Sequence, residues 1–567
     1  MKVSERPSAK DLGQVLVEAK LLTERQLDHV KELRAKDGTK LERILLQERL
    51  VTPQQLAFFT SLHLRIPFVN LRKEGVRPNS VAMIPEPIAR KYTVIPVDVS
   101  DNTLVLAMED PSDFQTIEEL ATLTRKRIEP VLSTFQDIQE MIDLTYRVGG
   151  EIEEQLSQIP TRFQKAARVA EARVSAEAIA QAPVVRAIDL LIKQAVRDRA
   201  SDIHVEPQED RLRIRYRIDG ILHEVMTLPL SVHPPLLSRL KIMAGLNIAE
   251  RRRPQDGQIT FDMGDRQVDL RVATTNTVYG EMSVLRILDK SFAFLPLAEI
   301  GFLPDALERY MRMVKMPFGM ILISGPTGSG KTTTQYATVN TLDAVGRNIL
   351  TIEDPVEYRF NNINQMQVNP SGGLTFASGL RAAMRLDPNV ILVGEIRDAE
   401  TAQIATQASL TGHLVMSSVH ANDTVSTLFR MIDLGTEPFL LVSALVGITA
   451  QRMVRRVCPY CSRPTAVIPE EQEAYEKEMH EKRSEFLVGI GCNFCANTGY
   501  LGRTGIFEVM LMSESIRRLV LSGASSDEIR AQSIKEGAVL LWHDGMMKVK
   551  MGITTPHEII RNVFSIG

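Results

Sequence analysis

The glycine-rich segment Gly325-Pro326-Thr327-Gly328-Ser329-Gly330-Lys331-Thr332 constrains the fold of this chain more than any other part of it. An apolar run at 320–323 precedes it, and a helix is predicted to begin at Lys331. Glycines let backbone N–H groups wrap around phosphate oxygens, the lysine reaches the β and γ oxygens, and the threonine places a hydroxyl on Mg²⁺. The sequence therefore predicts a loop that binds ATP through residues 325–332 and Thr333, with Mg²⁺ at Thr332.

Apolar runs alternate with helical stretches in the part of the chain after residue 300. The strand-like runs are 320–323, 348–352, 390–393 and 414–419. Such alternation is typical of an α/β fold with a mainly parallel, doubly wound sheet. Ligands of these sheets collect at the carboxyl ends of the strands. We therefore expect the residues that follow each run to lie beside the phosphate loop.

Polar residues follow three of these runs. Glu353 follows the second run, Glu395 follows the third after one glycine, and His420 follows the fourth. An acidic residue at such a position holds Mg²⁺ through water or orients the attacking water. Glu395 and Glu353 are therefore candidate catalytic residues, and the alternative for each is a surface acid at a strand end. His420 and His413 are candidate sensors of the γ-phosphate, with a structural role as the alternative.

A chain of 567 residues corresponds to about three or four domains. Residues 1–65 contain two copies of an amphipathic run followed by a Thr-x-x-Gln-Leu helix start, which predicts a helical repeat that acts as a docking module. The other predicted segments are an α/β N-terminal domain at 66–146, a linker at 147–181, a small α+β domain at 182–292 that flanks the ATPase, and an ATPase domain at 293–567 that includes a zinc element at 455–505.

Strict alternation marks residues 211–218 as a half-buried strand of the small α+β domain. Leucine, isoleucine and tyrosine occupy one face, and four arginines occupy the other, which we expect to be a solvated charged surface. A helix at 236–245, a turn at 254–257 and strands at 267–273 and 282–288 complete the prediction for this domain.

The composition is that of an ordinary globular protein, with 44% hydrophobic and 24% charged residues. A formal charge of −3 gives no support for a protein that coats nucleic acid or anionic lipid. The longest strongly apolar stretch, 438–450, is shorter than the roughly 20 residues that cross a bilayer, and the N-terminus lacks a signal-like apolar segment. We therefore expect a cytoplasmic chain.

The four cysteines fall in two pairs, Cys458 with Cys461 and Cys492 with Cys495. Two Cys-x-x-Cys pairs provide the thiolates of a tetrahedral Zn²⁺ site, and such a site is structural because no position is left for a substrate. The stretch between the pairs is longer than the usual spacing, but it is highly charged and is predicted to be a helical insertion. The alternative is free or redox-active cysteines.

Four ordered motifs resemble those of the motor ATPases of type II secretion and type IV pilus assembly. They are the phosphate loop, the aspartate box Thr351-Ile352-Glu353-Asp354-Pro355-Val356-Glu357-Tyr358, the second nucleotide motif Val393-Gly394-Glu395-Ile396-Arg397-Asp398, and the histidine box from Thr411-Gly412-His413 to His420-Ala421-Asn422-Asp423. The resemblance implies a RecA-like ATPase core, Glu395 as the catalytic glutamate and a ring of six subunits. The zinc element is typical of the assembly branch and not of the retraction branch.

The same resemblance implies partners and further catalytic residues. A motor of this family works with an inner-membrane assembly platform and docking proteins, so it associates peripherally with the inner membrane through them. Arg271 and Arg286 match positions that are expected to reach nucleotide, where an arginine from another domain or subunit stabilises transition-state charge. The alternative for both arginines is a solvated charged surface.

The N-terminal repeat resembles a family module that binds cyclic di-GMP in some relatives. Those modules usually begin Arg-Leu-Gly, whereas this chain has Asp11-Leu12-Gly13 and Lys40-Leu41-Glu42. An arginine and a glycine expected at the phosphates are therefore missing. Docking onto a membrane-anchored partner is the favoured role, because helical hairpins offer apolar grooves, and cyclic di-GMP binding is the alternative.

Two other functions are compatible with a phosphate loop. A nucleic-acid translocase needs a basic track or stacking aromatic residues, and this chain has a net charge of −3 and one tryptophan. A scaffold that uses ATP only as a switch would not need Glu395. The sequence therefore predicts an ATP-hydrolysing motor that does not act on nucleic acid.

Overall fold

The fold is taken from a computed structural model of the chain. It describes parts of 13–61, residues 66–146 with short gaps, and residues 182–563 except 265, 289–294 and 493. The predicted linker at 147–181 lies outside the described residues. The chain divides into two compact units, one formed by 1–151 with 492–497 and the other by 152–491 with 498–567.

Helix α1 (Glu24–Asp37) begins at the start signal of the first repeat copy. The Thr23 N–H donates to Gln26 Oε1 at 2.9 Å, and the Gln26 N–H donates to Thr23 Oγ1 at 3.3 Å, which forms a capping box. This predicted helix start is confirmed, whereas Thr52 of the second copy lies outside the described residues. Apolar residues from both copies share one small core, formed by Leu16, Leu22, Val30, Ile44, Leu45, Val51 and Leu56.

Residues 66–146 contain a three-stranded sheet with helices around it. The elements are α2 (Pro78–Val81), α3 (Glu86–Tyr92), β1 (Val94–Val99), β2 (Thr103–Met108), α4 (Phe114–Thr124), β3 (Arg127–Leu132) and α5 (Phe135–Thr145). β2 is the central strand, antiparallel to β1 and parallel to β3. This segment therefore combines strands with helices, as expected for an α/β region.

A six-stranded antiparallel sheet with two helices precedes the phosphate loop. The elements are α6 (Ala182–Arg197), β4 (Ala200–Pro207), β5 (Arg211–Ile218), β6 (Ile221–Pro229), a 3₁₀ turn (Leu230–Val232), α7 (His233–Met243), β7 (Gln255–Asp262), β8 (Gln267–Thr277) and β9 (Gly280–Leu288). The strand order is β6-β5-β4-β9-β8-β7. The predicted strand β5 is confirmed, since its apolar residues are buried.

The arginine face of β5 differs from the predicted solvated surface. Arg213 and Arg215 form ion pairs with Glu206 at 3.0 and 2.6 Å, and Arg217 pairs with Asp202 at 3.4 Å. Glu206 and Asp202 lie on β4, the strand next to β5 in the sheet. These three arginines therefore form ion pairs with carboxylates of a neighbouring strand. The alternation of residues along β5 does not show which strand lies beside it.

The turn predicted at 254–257 is also wrong, because β7 begins at Gln255. The side chain of Gln255 donates to Asn247 O at 3.1 Å and to Glu250 O at 2.9 Å, which fixes the start of the strand. A Cβ at Gly257 would lie 2.4 Å from Ala244 O. The glycine therefore permits a close approach to the end of α7 and does not mark a turn.

The remaining elements build the ATPase sheet and the C-terminal region. Up to β15 they are α8 (Pro304–Val314), β10 (Gly319–Ser324), α9 (Lys331–Thr341), β11 (Ile349–Glu353), β12 (Asn364–Gln367), a 3₁₀ turn (Pro370–Gly372), α10 (Phe376–Ala383), β13 (Val390–Val393), α11 (Ala399–Leu410), β14 (Leu414–Val419), α12 (Thr424–Asp433), α13 (Pro438–Ala444) and β15 (Leu445–Val457). After β15 they are β16 (Ser462–Ala466), α14 (Pro469–Met479), β17 (Glu485–Gly489), β18 (Tyr500–Leu511), α15 (Glu514–Leu521), α16 (Ser526–Lys535), α17 (Leu541–Lys550) and α18 (Pro556–Val563).

The ATPase sheet has seven strands in the order β12-β11-β13-β14-β10-β15-β18. All neighbouring pairs are parallel except β15 and β18, which are antiparallel. Both faces of the sheet are buried, one against a core that includes Leu322 and Val393 and the other against a core that includes Ile321 and Leu392. The predicted α/β class and mainly parallel sheet are confirmed.

No helix in the described ranges combines the length and apolar character that a membrane span requires.

Candidate nucleotide site and cysteine cluster

The phosphate loop leaves the carboxyl end of β10, and α9 begins directly after it. Gly325 has a φ of 152°, and a Cβ there would lie 2.5 Å from Gln451 O and from Ser329 Oγ. Gly330 caps α9 in the left-handed region, with a φ of 87°. Only glycine fits these conformations without strain, so the loop has the close-packed backbone that a phosphate cradle needs.

Lys331 lies in the first turn of α9 and folds back over the loop. Its Nζ donates to Gly325 O at 2.8 Å and to Pro326 O at 3.1 Å. The pKa of Lys331 is lowered to about 8, chiefly by burial, which the attraction of Glu395 opposes and the positive charge of Arg452 assists. A partly buried ammonium held among carbonyl oxygens is suited to a strongly anionic ligand. ATP therefore fits the residues present.

Glu395 and His420 meet at the carboxyl ends of β13 and β14. Glu395 Oε2 lies 3.4 Å from His420 Nε2, and Glu395 Oε1 lies 2.5 Å from Arg397 Nη2. The Glu395 side chain is 14% exposed and the His420 side chain is 47% exposed, so the pair borders solvent. The structure thus brings together two of the predicted catalytic residues and adds Arg397, which was not predicted to take part in the site.

His413 lies at the amino end of β14, so the structure separates it from His420. Its Nδ1 is 2.9 Å from Ala408 O, within the turn that ends α11. Ligands of a parallel sheet collect at the opposite, carboxyl ends of the strands. The position of His413 therefore favours the alternative of a structural role.

Glu353 is the last residue of β11 and is 4% exposed. It accepts hydrogen bonds from Thr351 Oγ1 at 2.5 Å, from Gln365 Nε2 at 3.1 Å and from the Tyr336 hydroxyl. Burial, with the nearby Glu353 charge as a second cause, raises the pKa of the Tyr336 hydroxyl. Both carboxylate oxygens of Glu353 are therefore hydrogen-bonded, which fixes the side chain at the carboxyl end of β11, beside α9.

The two predicted arginines lie opposite each other on β8 and β9. Arg271 Nη1 lies 3.3 Å from Glu357 Oε2, and Arg271 Nη2 donates to Val356 O at 3.3 Å, within a cleft of about 820 Å³. Arg286 is 64% exposed and pairs with Asp202 at 3.2 Å. Over the described part of the chain, no ion pair joins either arginine to Glu395, so the structure does not bring them into this site.

The four cysteine sulfurs lie within 4.8 Å of one another. Cys492 Sγ and Cys495 Sγ are 3.7 Å apart, too far for a disulfide, and the Cys492 N–H donates to Cys495 Sγ at 3.2 Å. Zn–S bonds of about 2.3 Å place the sulfurs of a tetrahedral site about 3.8 Å apart. The four thiols therefore fit a zinc ion.

A family model described as "Type II/IV secretion system protein" matches residues 177–561. The chain belongs to this family. The type IV pilus assembly ATPase PilB of Myxococcus xanthus is 39% identical over 559 residues, which cover 97% of this chain and 98% of that protein. The type II secretion system protein E of Xanthomonas campestris pv. campestris is 37% identical over 570 residues, or 99% of each chain.

Solved structures give a more distant similarity. The ATPase DotB of Legionella pneumophila is 20% identical, with a TM-score of 0.49 over 66% of this chain and 94% of that chain. Family membership rests on the family model and the curated relatives, which confirm the predicted resemblance to secretion and pilus-assembly ATPases. The nucleic-acid translocase gains no support from them.

A second family model, the MshEN domain, matches residues 64–152. The resemblance to a cyclic di-GMP module falls on the helical repeat at 1–65, whereas this match falls on the α/β region that follows it. Leu12 and the triplet at 40–42 lie outside the described residues. A role for the N-terminal region in nucleotide binding or docking therefore stays a prediction.

Proposed function

We propose that this chain is the ATPase motor of a type II secretion or type IV pilus assembly machine and acts as a ring of six subunits. The observation that carries the proposal is the Glu395–His420 pair beside a glycine cradle and Lys331, in a chain whose family spans 177–561. Hydrolysis of ATP at this site supplies the energy for assembly of the pseudopilus or pilus. Motion of the small α+β domain against the ATPase domain of each subunit transmits this energy to the machine.

Each residue has a distinct part in the proposed reaction. Lys331 holds the β and γ oxygens, and Glu395 orients the attacking water and accepts its proton. His420 holds Glu395 in place and senses the γ-phosphate. Mg²⁺, which Thr332 would hold, neutralises phosphate charge when bound. We further propose that Glu353 helps to place the metal, and that Arg271 and Arg286 reach the nucleotide from another domain or subunit.

The proposed partners are an inner-membrane platform and its docking proteins, with the chain on the cytoplasmic side. Its N-terminal region would serve as the docking module, and cyclic di-GMP remains a second candidate ligand because a MshEN model matches 64–152. Purification of the chain from its native membranes tests this assignment. We expect the platform protein of a secretion or pilus machine to purify with it. Recovery with nucleic-acid processing proteins and without a platform protein would contradict the proposal.

The pH dependence of ATP binding tests the role of Lys331. The pKa of Lys331 is lowered to about 8 without nucleotide, and bound phosphate favours the charged form. Binding is therefore strongest below pH 8 and weakens as the ammonium loses its proton. We expect the Kd of ATP to rise about tenfold from pH 7 to pH 9 in the unmodified chain. Titration of a fluorescent ATP analogue at constant ionic strength measures it.

Lys331→Ala is the control for this titration, since it lacks the group that titrates. Its Kd should be higher than that of the unmodified chain at pH 7 and nearly constant up to pH 9. An equal rise of Kd in both proteins would assign the pH dependence to another group.

We propose that the cysteine cluster binds one structural Zn²⁺ per chain, because the four sulfurs have the spacing of a tetrahedral site. Freshly reduced protein should contain about one equivalent of zinc, and Cys492→Ser should lose it. Thermal melting should show a less stable C-terminal region in this variant, while the phosphate loop still binds ATP. Metal analysis that finds no zinc in the unmodified, reduced chain would remove the claim.

A further inference from the structure

Gln451 and Arg452 are adjacent residues of β15 and lie beside the start of the phosphate loop. β15 pairs with β10 in parallel up to Ala450, which lies opposite Ser324 at the end of β10. Gln451 and Arg452 therefore extend beyond the end of β10, next to the loop. Because neighbouring side chains of a strand point to opposite faces, the two residues contact different parts of the nucleotide site.

The side-chain amide of Gln451 contacts the phosphate loop with its nitrogen and the first turn of α9 with its oxygen. Its Nε2 donates to Ser329 O at 2.7 Å, and its Oε1 accepts from Thr334 Oγ1 at 2.8 Å. The side chain is 1% exposed, so water does not compete for either bond. The carbonyl and N–H of a trans peptide point in opposite directions. Gln451 thus sets the direction of the Gly330 N–H, one of the donors of the cradle.

Arg452 contacts the loop that follows His420. Its Nη2 donates to Asn422 O at 3.3 Å and to Asn422 Oδ1 at 3.1 Å. Asn422 is two residues after His420, whose ring nitrogen lies 3.4 Å from Glu395. Arg452 is 8% exposed, and among the described residues no carboxylate lies within ion-pair distance of it. Burial lowers the pKa of Arg452 and the charge of Asp423 opposes this shift, so two successive residues of the loop after His420, Asn422 and Asp423, interact with this guanidinium.

We propose that Gln451 and Arg452 are positioning residues, of which Gln451 sets the phosphate loop for nucleotide binding and Arg452 sets the His420 loop for turnover. This inference rests on the proposed ATP site. It predicts different kinetic effects for two residues that are neighbours in the sequence: a raised KM when Gln451 is replaced and a lowered kcat when Arg452 is replaced. A purely structural role of β15 would instead give both variants the same signature.

The test compares Gln451→Leu with Arg452→Met in the full chain. We measure the Kd of a fluorescent ATP analogue and the kcat and KM of phosphate release with Mg–ATP. Gln451→Leu should raise Kd and KM about tenfold and change kcat by less than about twofold. Arg452→Met should keep Kd within about twofold and lower kcat about tenfold, because the His420 loop is no longer held.

Conservative variants keep the test decisive if either substitution impairs folding. Gln451→Glu keeps the acceptor for Thr334 but loses the donor to Ser329, so it should also raise KM. Arg452→Lys keeps one donor and should recover part of the lost kcat. The inference is overturned if the Gln451 variants leave KM unchanged, or if the Arg452 variants alter only affinity.

Lys331→Ala separates failure of this inference from failure of the proposed site. If Lys331→Ala weakens ATP binding and the Gln451 variants do not, only the role of Gln451 is wrong. If Lys331→Ala leaves ATP binding intact, the nucleotide site itself is wrong, and this inference is overturned with it.

Discussion

Replacement of Glu395 by glutamine should leave ATP bound and remove most of its hydrolysis. Glu395 lies at the carboxyl end of β13 beside His420, apart from the backbone cradle that holds the phosphates. Glutamine has nearly the same shape but does not accept the proton of the attacking water. We expect kcat to fall by about 10² to 10⁴ with the Kd of ATP changed by less than about twofold. Phosphate release and nucleotide titration on the same preparation measure both.

Lys331→Ala is the matched control, because it should show the opposite pattern. Lys331 contacts the phosphate loop itself through Gly325 O and Pro326 O. Its loss should therefore raise the Kd of ATP, whereas the loss of Glu395 should lower kcat. Equal losses of affinity in Glu395→Gln and Lys331→Ala would contradict this division of roles.

Arg286→Ala should reduce turnover as strongly as Glu395→Gln, with ATP binding retained. Arg286 is 64% exposed and forms an ion pair with Asp202 at 3.2 Å. Asp202 also pairs with Arg217 at 3.4 Å, so it keeps a cation when Arg286 leaves, and the exposed guanidinium is available to reach nucleotide from across a subunit or domain boundary. An arginine that stabilises transition-state charge contributes about 10³ to 10⁵ to kcat. Single-turnover hydrolysis with bound ATP measures this loss.

Mixing Arg286→Ala with Glu395→Gln shows whether the arginine acts between subunits. If it does, mixed rings contain some sites with Arg286 from one subunit and Glu395 from its neighbour, and activity returns. If it acts within one chain, mixing restores nothing. Full activity in the Arg271→Ala/Arg286→Ala double variant would remove both arginines from the mechanism and leave them as surface charges.

The sequence predicts the phosphate loop and the sheet around it because their signals are local. The glycines, Lys331 and the preceding apolar strand lie within a dozen residues, and hydrophobic runs of four to six residues mark β10, β11, β13 and β14. Glu395 and His420 were predicted to lie together because the carboxyl ends of parallel strands meet at one edge. Their contact at 3.4 Å follows from that rule.

Contacts made by distant segments were missed. Gln451 is separated by 122 residues from Ser329 and by 117 from Thr334. Nothing in the apolar run at 438–450 shows that it divides into a helix and a strand, or that the strand continues past the loop. The partners of Arg213 and Arg215 were missed for the same reason, since only the strand order places Glu206 beside them.

Phosphate release by the purified chain over a series of protein concentrations, with Mg–ATP in excess, tests the central claim most directly. If ATP is hydrolysed at sites that are completed in a ring, activity per chain is low when dilute and rises with concentration until rings are fully formed. Glu395→Gln should stay inactive over the whole series. Absence of phosphate release at every concentration, or equal release by Glu395→Gln, would contradict the account.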